Sequence, residues 1–219
     1  GKVRYVHDGN ETGDSFAITA NDGALDSAAK TIAVTRTPVN DAPVIANLGA
    51  DTMTYPAHTG TLTYRTLDVT TSAAVGVPSA GGPNAMVTDV DSADFNGGSL
   101  RVGIVSNNNP AADSLKILNT TGGITTTGNT VYYAGAEIGT YSGGSGTSDL
   151  VVTFTQAAAT ATAAQALIQS IQFANSEAVP GLNSRAVRFN LNDGDGGSTS
   201  ADVNVNIQSG LKPSLINGS

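Results

Sequence analysis

The chain has 219 residues, 18 acidic against 10 basic side chains for a formal net charge of −8, and no Cys. That length suits one large domain or two small ones, and the missing Cys excludes a disulfide framework and a thiolate metal centre. The acidic balance argues against nucleic acid and anionic membrane as partners, since both reward Lys/Arg patches.

Aromatic residues make up only 5% of the chain and Trp is absent, so the core must be built from Val, Ile, Leu, Ala and a few Phe and Tyr. Gly, Thr, Ser, Asn and Asp crowd the spaces between short Val/Ile-rich runs, a mixture that favours strands and turns over helices. No apolar run approaches the roughly 18 residues of a membrane span, and no signal peptide is visible. Gly1 opens directly on strand-like sequence, as an excerpt would.

In chain order, the first element is an alternating strand at Ser15 to Ala20, an Asn21-Asp22-Gly23 turn and a second strand at Lys30 to Val34. The Asn-Asp-Gly turn supplies residues that tolerate the positive φ of a hairpin. Thr37-Pro38-Val39-Asn40-Asp41-Ala42-Pro43 then marks a boundary, because two prolines within six residues forbid a central strand there. Short strands are expected near 43–48, 60–70, 99–106, 114–119, 130–134, 150–155, 171–175, 186–191 and 202–208. One helix interrupts them, with a capping box read at Thr162-Ala163-Ala164-Gln165 and Ala164, Leu167, Ile168 and Ile171 at helical spacing. The last hairpin, Val187 to Leu191, Asn192-Asp193-Gly194 and Asp202 to Ile207, repeats the pattern of the first.

Two copies of one terminal hairpin imply tandem domains. Residues 1–42 are then the last strands of a first domain plus linker, 43–209 a complete second domain and 210–219 a tail. The expected fold class is all-β, an antiparallel sandwich with one short helix. A three-strand fragment cannot bury two faces alone, so residues 1–42 are expected to pack against the second domain or to exchange strands with another molecule.

Tyr5-Val6-His7-Asp8-Gly9-Asn10-Glu11-Thr12, Asn21-Asp22-Gly23 and Pro38-Val39-Asn40-Asp41-Ala42-Pro43 together resemble the cadherin-like (proteoglycan-type) tandem repeats of giant bacterial surface proteins. Thr88-Asp89-Val90-Asp91-Ser92-Ala93-Asp94-Phe95-Asn96-Gly97-Gly98 and Asn192-Asp193-Gly194-Asp195-Gly196-Gly197 look like related repeats of the same proteins. The stretch from about 50 to 85 matches none of these patterns. The resemblance implies Ig/cadherin-like sandwiches in a rod, each junction stiffened by calcium, on type I secreted adhesins at the bacterial surface. Asn40 and Asp41 match the linker ligands of that family, and Asp89 with Asp91 match the D-x-D pair. Glu11 and Asp22 would add ligands from the first domain. The second domain ends Gln208-Ser209-Gly210-Leu211-Lys212-Pro213, without an Asn-Asp linker, so no second junction is assigned.

The chemistry of the residues agrees with calcium. All acids but Glu11, Glu137 and Glu177 are Asp, and short carboxylates in Gly/Asn-rich turns suit hard cations. Asp89, Asp91 and Asp94 place three carboxylates within six residues, where they repel one another unless a cation joins them. A solvated acidic turn is the competing reading. Asp193 and Asp195 sit in a Gly-rich turn that hairpin chemistry alone explains, and Asp22 shares that ambiguity. Gly143 to Asp149 nearly matches a calcium β-roll nonapeptide, but it occurs once and that roll needs stacked copies, so it reads as a flexible loop.

Catalytic motifs are missing. His7 and His58 are the only histidines, Thr147 spoils a G-x-S-x-G elbow around Ser145, and no P-loop or dinucleotide fingerprint occurs. The expected role is therefore a structural extender segment of an adhesin and not an enzyme. Its partners would be neighbouring repeats and, through self-association, copies of itself. The alternative is a module that binds carbohydrate or a host or cell-surface protein through its loops, with Tyr132, Tyr133 and Tyr141 as stacking faces.

Overall fold

The computed structural model describes residues 4, 6, 14–35, 37, 39–49, 51–56, 62–69 and 83–208. The chain divides into two compact units, residues 1–40 and 41–219.

In the first unit, β1 (Asp14–Ile18) and β2 (Lys30–Val34) form an antiparallel pair with Phe16 opposite Ile32. Phe16 and Val34 are half-buried, and Ile18, Leu25 and Ile32 are exposed. The described part of this unit has no apolar core of its own.

The second unit carries β3 (Val44–Ala46), β4 (Thr52–Pro56), β5 (Arg65–Thr66), β6 (Met86–Thr88), β7 (Ser99–Ser106), β8 (Asp113–Ile117), β9 (Ile124–Thr127) and β10 (Thr130–Tyr133). It continues with β11 (Ala136–Ser142), β12 (Leu150–Phe154), α1 (Ala161–Gln169), β13 (Ile171–Asn175), β14 (Arg185–Asn192) and β15 (Ser198–Gln208). Eight strands form one sheet in the order β4-β15-β14-β7-β12-β11-β10-β9, while β5-β13-β8 form a second and β3-β6 pair apart. Among its described residues the unit is all-β apart from one short helix, and its strands pair antiparallel with one exception. β4 runs parallel to β15, with Met53 beside Val205. The two strands are far apart in sequence, so no hairpin turn dictates the direction of β4.

Period-two alternation explains the large sheet. Leu150, Val152 and Phe154 of β12, Val187, Phe189 and Leu191 of β14, and Val203, Val205 and Ile207 of β15 are all buried in one core. β13 is buried along its whole length, and α1 adds Ala163, Ala164, Leu167 and Ile168. Four of the five Phe and one Tyr are in this core: Tyr55, Phe95, Phe154, Phe173 and Phe189 are its largest fully buried side chains. Tyr55 meets Phe173 edge-on at 5.3 Å between ring centroids.

Several local expectations need correction. The helix begins two residues earlier than the capping box at Thr162 implies. Thr160 is the N-cap, its Oγ1 accepting from Ala163 N at 3.3 Å, and the Gln165 side chain instead accepts from Val87 N at 3.2 Å. Ile171 is the first residue of β13 and still buried. Of the strand expected over 60–70, only Arg65–Thr66 pairs among the described residues. The Gly143–Asp149 loop is tied down, not loose. Leu115 N donates to Gly144 O at 2.7 Å, Asn108 Nδ2 to Gly146 O at 3.1 Å, and Asp149 pairs with Arg101 at 2.5 Å.

Candidate functional site

The acidic residues singled out by sequence fall into distinct places. Glu11 lies outside the described residues. Asp22 is exposed on the β1–β2 turn, where its Oδ1 accepts from Ala24 N (2.9 Å) and Leu25 N (3.0 Å). The backbone bonds from Leu25 and Ala24 hold its carboxyl below the usual carboxylate range. Its carboxylate is thus a turn cap. Asn40 is the last residue of the first unit.

In the second unit, three backbone segments meet: 41–42, 96–98 and 192–197. Glycine makes their approach possible. A Cβ on Gly98 would collide with Asn192 O and lie 2.7 Å from Gly194 N. A Cβ on Gly197 would strike the Asp193 carboxylate and lie 2.8 Å from the Asp41 carbonyl oxygen. Asp193 is 0% exposed, and its Oδ1 accepts from the backbone of Asp195 (2.8 Å), Gly196 (3.0 Å) and Gly197 (3.0 Å). That carboxylate is the organising centre of its turn. Asp195 is exposed and contributes its N–H to it.

The two Asn-Asp-Gly turns share one geometry. Asn21 Oδ1 accepts from Gly23 N as Asn192 Oδ1 does from Gly194 N, at 2.7 and 3.1 Å, and the two glycines have φ of 99° and 96°. Across the strands, Phe16 opposes Ile32 as Val187 opposes Val203.

The Asp89 to Asp94 loop sits beside this junction. Asp89 Oδ1 accepts from Asp91 N (3.2 Å) and Ser92 N (3.0 Å), and Asp94 Oδ1 caps Asn96 N at 3.0 Å. Asp41 N donates to Asp91 Oδ2 at 3.0 Å, which ties the end of the linker to the loop. Asp89 Oδ2 and Asp91 Oδ1 are buried and have no hydrogen-bond partner. Oxygens of that kind are costly to bury unless a proton or a cation meets them.

The unpartnered atoms here are carboxylate oxygens, which calcium or magnesium takes and softer metals do not. Among the described residues, no three acidic or His side chains are close enough to form a ready-made metal centre. The fit therefore rests on Asp89 and Asp91, with the Asp41 N–H tied to the same loop. Asp94 is engaged with Asn96 N, Asp195 gives its N–H to Asp193, and Asp193 contributes by shaping the turn.

Sequence reasoning missed two buried polar groupings. Asp113 and Arg185 pair in the interior, and Asp51 lies beside Asp68 under the β3–β4 turn. Neither belongs to a short motif. A scan against protein-family models finds no match, and searches of curated proteins and of solved structures also find none.

Proposed function

We propose that this chain is a structural extender segment of a large bacterial surface adhesin, made of cadherin-like β-sandwich repeats in tandem and stiffened by calcium. The observation that carries this reading is the pair of buried, unpartnered oxygens Asp89 Oδ2 and Asp91 Oδ1 in the loop that also holds Asp41 N. Asp89 and Asp91 would hold the ion, with the main chain of Asp41 beside them. A bound cation supplies the positive charge those oxygens lack, and it fixes the base of the linker at Asp41. Because the ion favours the ordered loop over the disordered one, it stabilises that loop by mass action. The exported, extracellular setting follows from the same resemblance and from the need for calcium at near-millimolar level.

The alternative role as a carbohydrate-binding module has less support. Tyr132, Tyr133 and Tyr141 are all half-buried, and Tyr133 and Tyr141 pack against the core, which leaves poor stacking faces.

Small-angle scattering of the 219-residue chain, in chelator and then in calcium, tests the extender role. Calcium is expected to lengthen the maximum dimension and narrow the spread of conformations, with the circular dichroism of the strands unchanged. Superimposable scattering curves in the two conditions would remove the stiffening role.

A further inference from the structure

Outside the acidic loops, a buried and a half-buried carboxyl meet in the stretch that matches none of the repeat patterns. Asp51 is 0% exposed, and every polar atom it has is committed except one. Its N donates to Leu48 O at 3.1 Å, its carbonyl accepts from Asn204 N of β15 at 3.1 Å, and its Oδ2 accepts from Val69 N at 2.7 Å. Its Oδ1 is buried with no partner. Asp68 lies within hydrogen-bonding reach of Asp51, and its own Oδ1 accepts from Ala85 N at 3.0 Å. Gln169 of α1 donates to Ala85 O at 2.7 Å, so the pair joins the β3–β4 turn, the exit of β5, the entry to β6, β15 and the helix.

Two ionised carboxylates this close, one of them wholly buried, would repel strongly. Something must stand between them. No ion pair to either is found among the described residues, and no third carboxylate joins them to make a metal centre. The charge acting on Asp68 is that of Asp51. The other titratable groups on the surrounding segments are Tyr55 on β4, Tyr64 and Arg65 at β5, Asp202 on β15 and Asp89 beyond β6, while β3 and α1 carry none. Asp202 is engaged by Arg188 at 2.7 Å, and the Tyr55 hydroxyl by the Thr63 and Asn175 carbonyls.

We propose that the Asp68 carboxyl keeps its proton and donates it to the orphaned Asp51 Oδ1, so that this corner of the fold is an acid-stabilised clamp. Burial, reinforced by the Asp51 charge, raises the Asp68 carboxyl from its ordinary range to about 6. The sign follows from linkage. The folded chain holds a proton that the unfolded chain releases near pH 4, so the stabilisation is complete below that pH and is lost as pH rises through about 6. The clamp uses neither Asp89 nor Asp91 and is tested in chelator, apart from the calcium reading.

Urea unfolding of the 219-residue chain in chelator, across pH 5 to 8, tests this. The folding constant is expected to drop by roughly tenfold over that range, allowing for partial solvent screening of Asp68. Asp68→Asn supplies a permanent donor to Asp51 Oδ1 and is expected to flatten the profile and to match or exceed the parent at pH 8. An undiminished pH dependence in Asp68→Asn would overturn the proposal. So would restoration of the parent's pH 8 stability by calcium that Asp68→Asn abolishes, since that would make the pair a cation site. A carboxyl-carbon NMR titration of the parent gives a readout that needs no variant. An Asp68 side chain titrating near pH 6 is expected, and its full ionisation below pH 5 would sink the idea.

Discussion

Replacing Arg185 with Ala is expected to lower the unfolding free energy by about 3–5 kcal/mol, the cost of leaving a buried charge without its partner. The Arg185 and Asp113 side chains are 3% and 0% exposed, with Arg185 Nε donating to Asp113 Oδ2 at 3.1 Å. Asp113 also accepts from Asn175 Nδ2 at 2.6 Å and Asn109 N at 2.7 Å, and Asn109 Nδ2 reaches Glu177 Oε1 at 2.8 Å. Arg185 Nη1 donates to the carbonyls of Gly181 and Asn183. One guanidinium therefore neutralises a core carboxylate and anchors the 176–184 loop to the start of β8. Without it Asp113 is left with neutral donors only, and two carbonyls lose their donor. A double change, Arg185→Met with Asp113→Leu, removes both charges and is expected to cost less than Arg185→Ala alone. Urea denaturation compares them. A loss below about 1 kcal/mol for Arg185→Ala would show that the pair is relieved by water.

The second large effect is expected from Gly98→Ala. The added Cβ meets only backbone, namely Asn192 O, Gly194 N at 2.7 Å and Asp193 C at 2.8 Å, so no rotamer can make room. The 96–98 and 192–197 segments must separate, at a cost of about 3 kcal/mol. Their separation also disturbs the turn organised by Asp193, and calcium affinity is expected to fall at least tenfold. Gly49→Ala is the control, since a Cβ there meets nothing within 4 Å, and it should stay within about 0.5 kcal/mol of the parent. Equal stability for the two variants by urea denaturation would contradict the close backbone packing.

What the sequence revealed and what it hid follow from local chemistry. β12, β13 and β14 are legible to within a residue or so because their apolar residues alternate or run together and their partners bury them. β11 is missed because it contains Gly139, whose missing Cβ lets the chain approach Thr153 O and Phe154 Cα. The glycine that the pairing requires is the residue that weakens a strand pattern. β9 is hidden by its threonines, and β4 by the unmatched stretch around it. The helix cap is misplaced because Thr160 and Thr162 are both competent oxygens, and only packing of Gln165 on β6 selects the earlier one.

The acidic loop shows the same division. Its residues are visible in sequence as a run of carboxylates, and the fold brings Asp41 and the Asp193 turn to it through glycine contacts that no short pattern encodes. Asp113 and Arg185 are 72 residues apart and meet only because β8 and β14 enter one core. Asp51 and Asp68 are invisible as a pair until the β3–β4 turn closes over them.

Calorimetric titration of calcium into the 219-residue chain, repeated with Asp89→Ala and Asp91→Ala together, tests the calcium site. Saturable heat is expected with a dissociation constant of about 10⁻⁴ to 10⁻³ M, as extracellular modules show, and its loss in the double variant. No heat in the parent, or equal heat in both proteins, would contradict the assignment of the acidic loop as a calcium site.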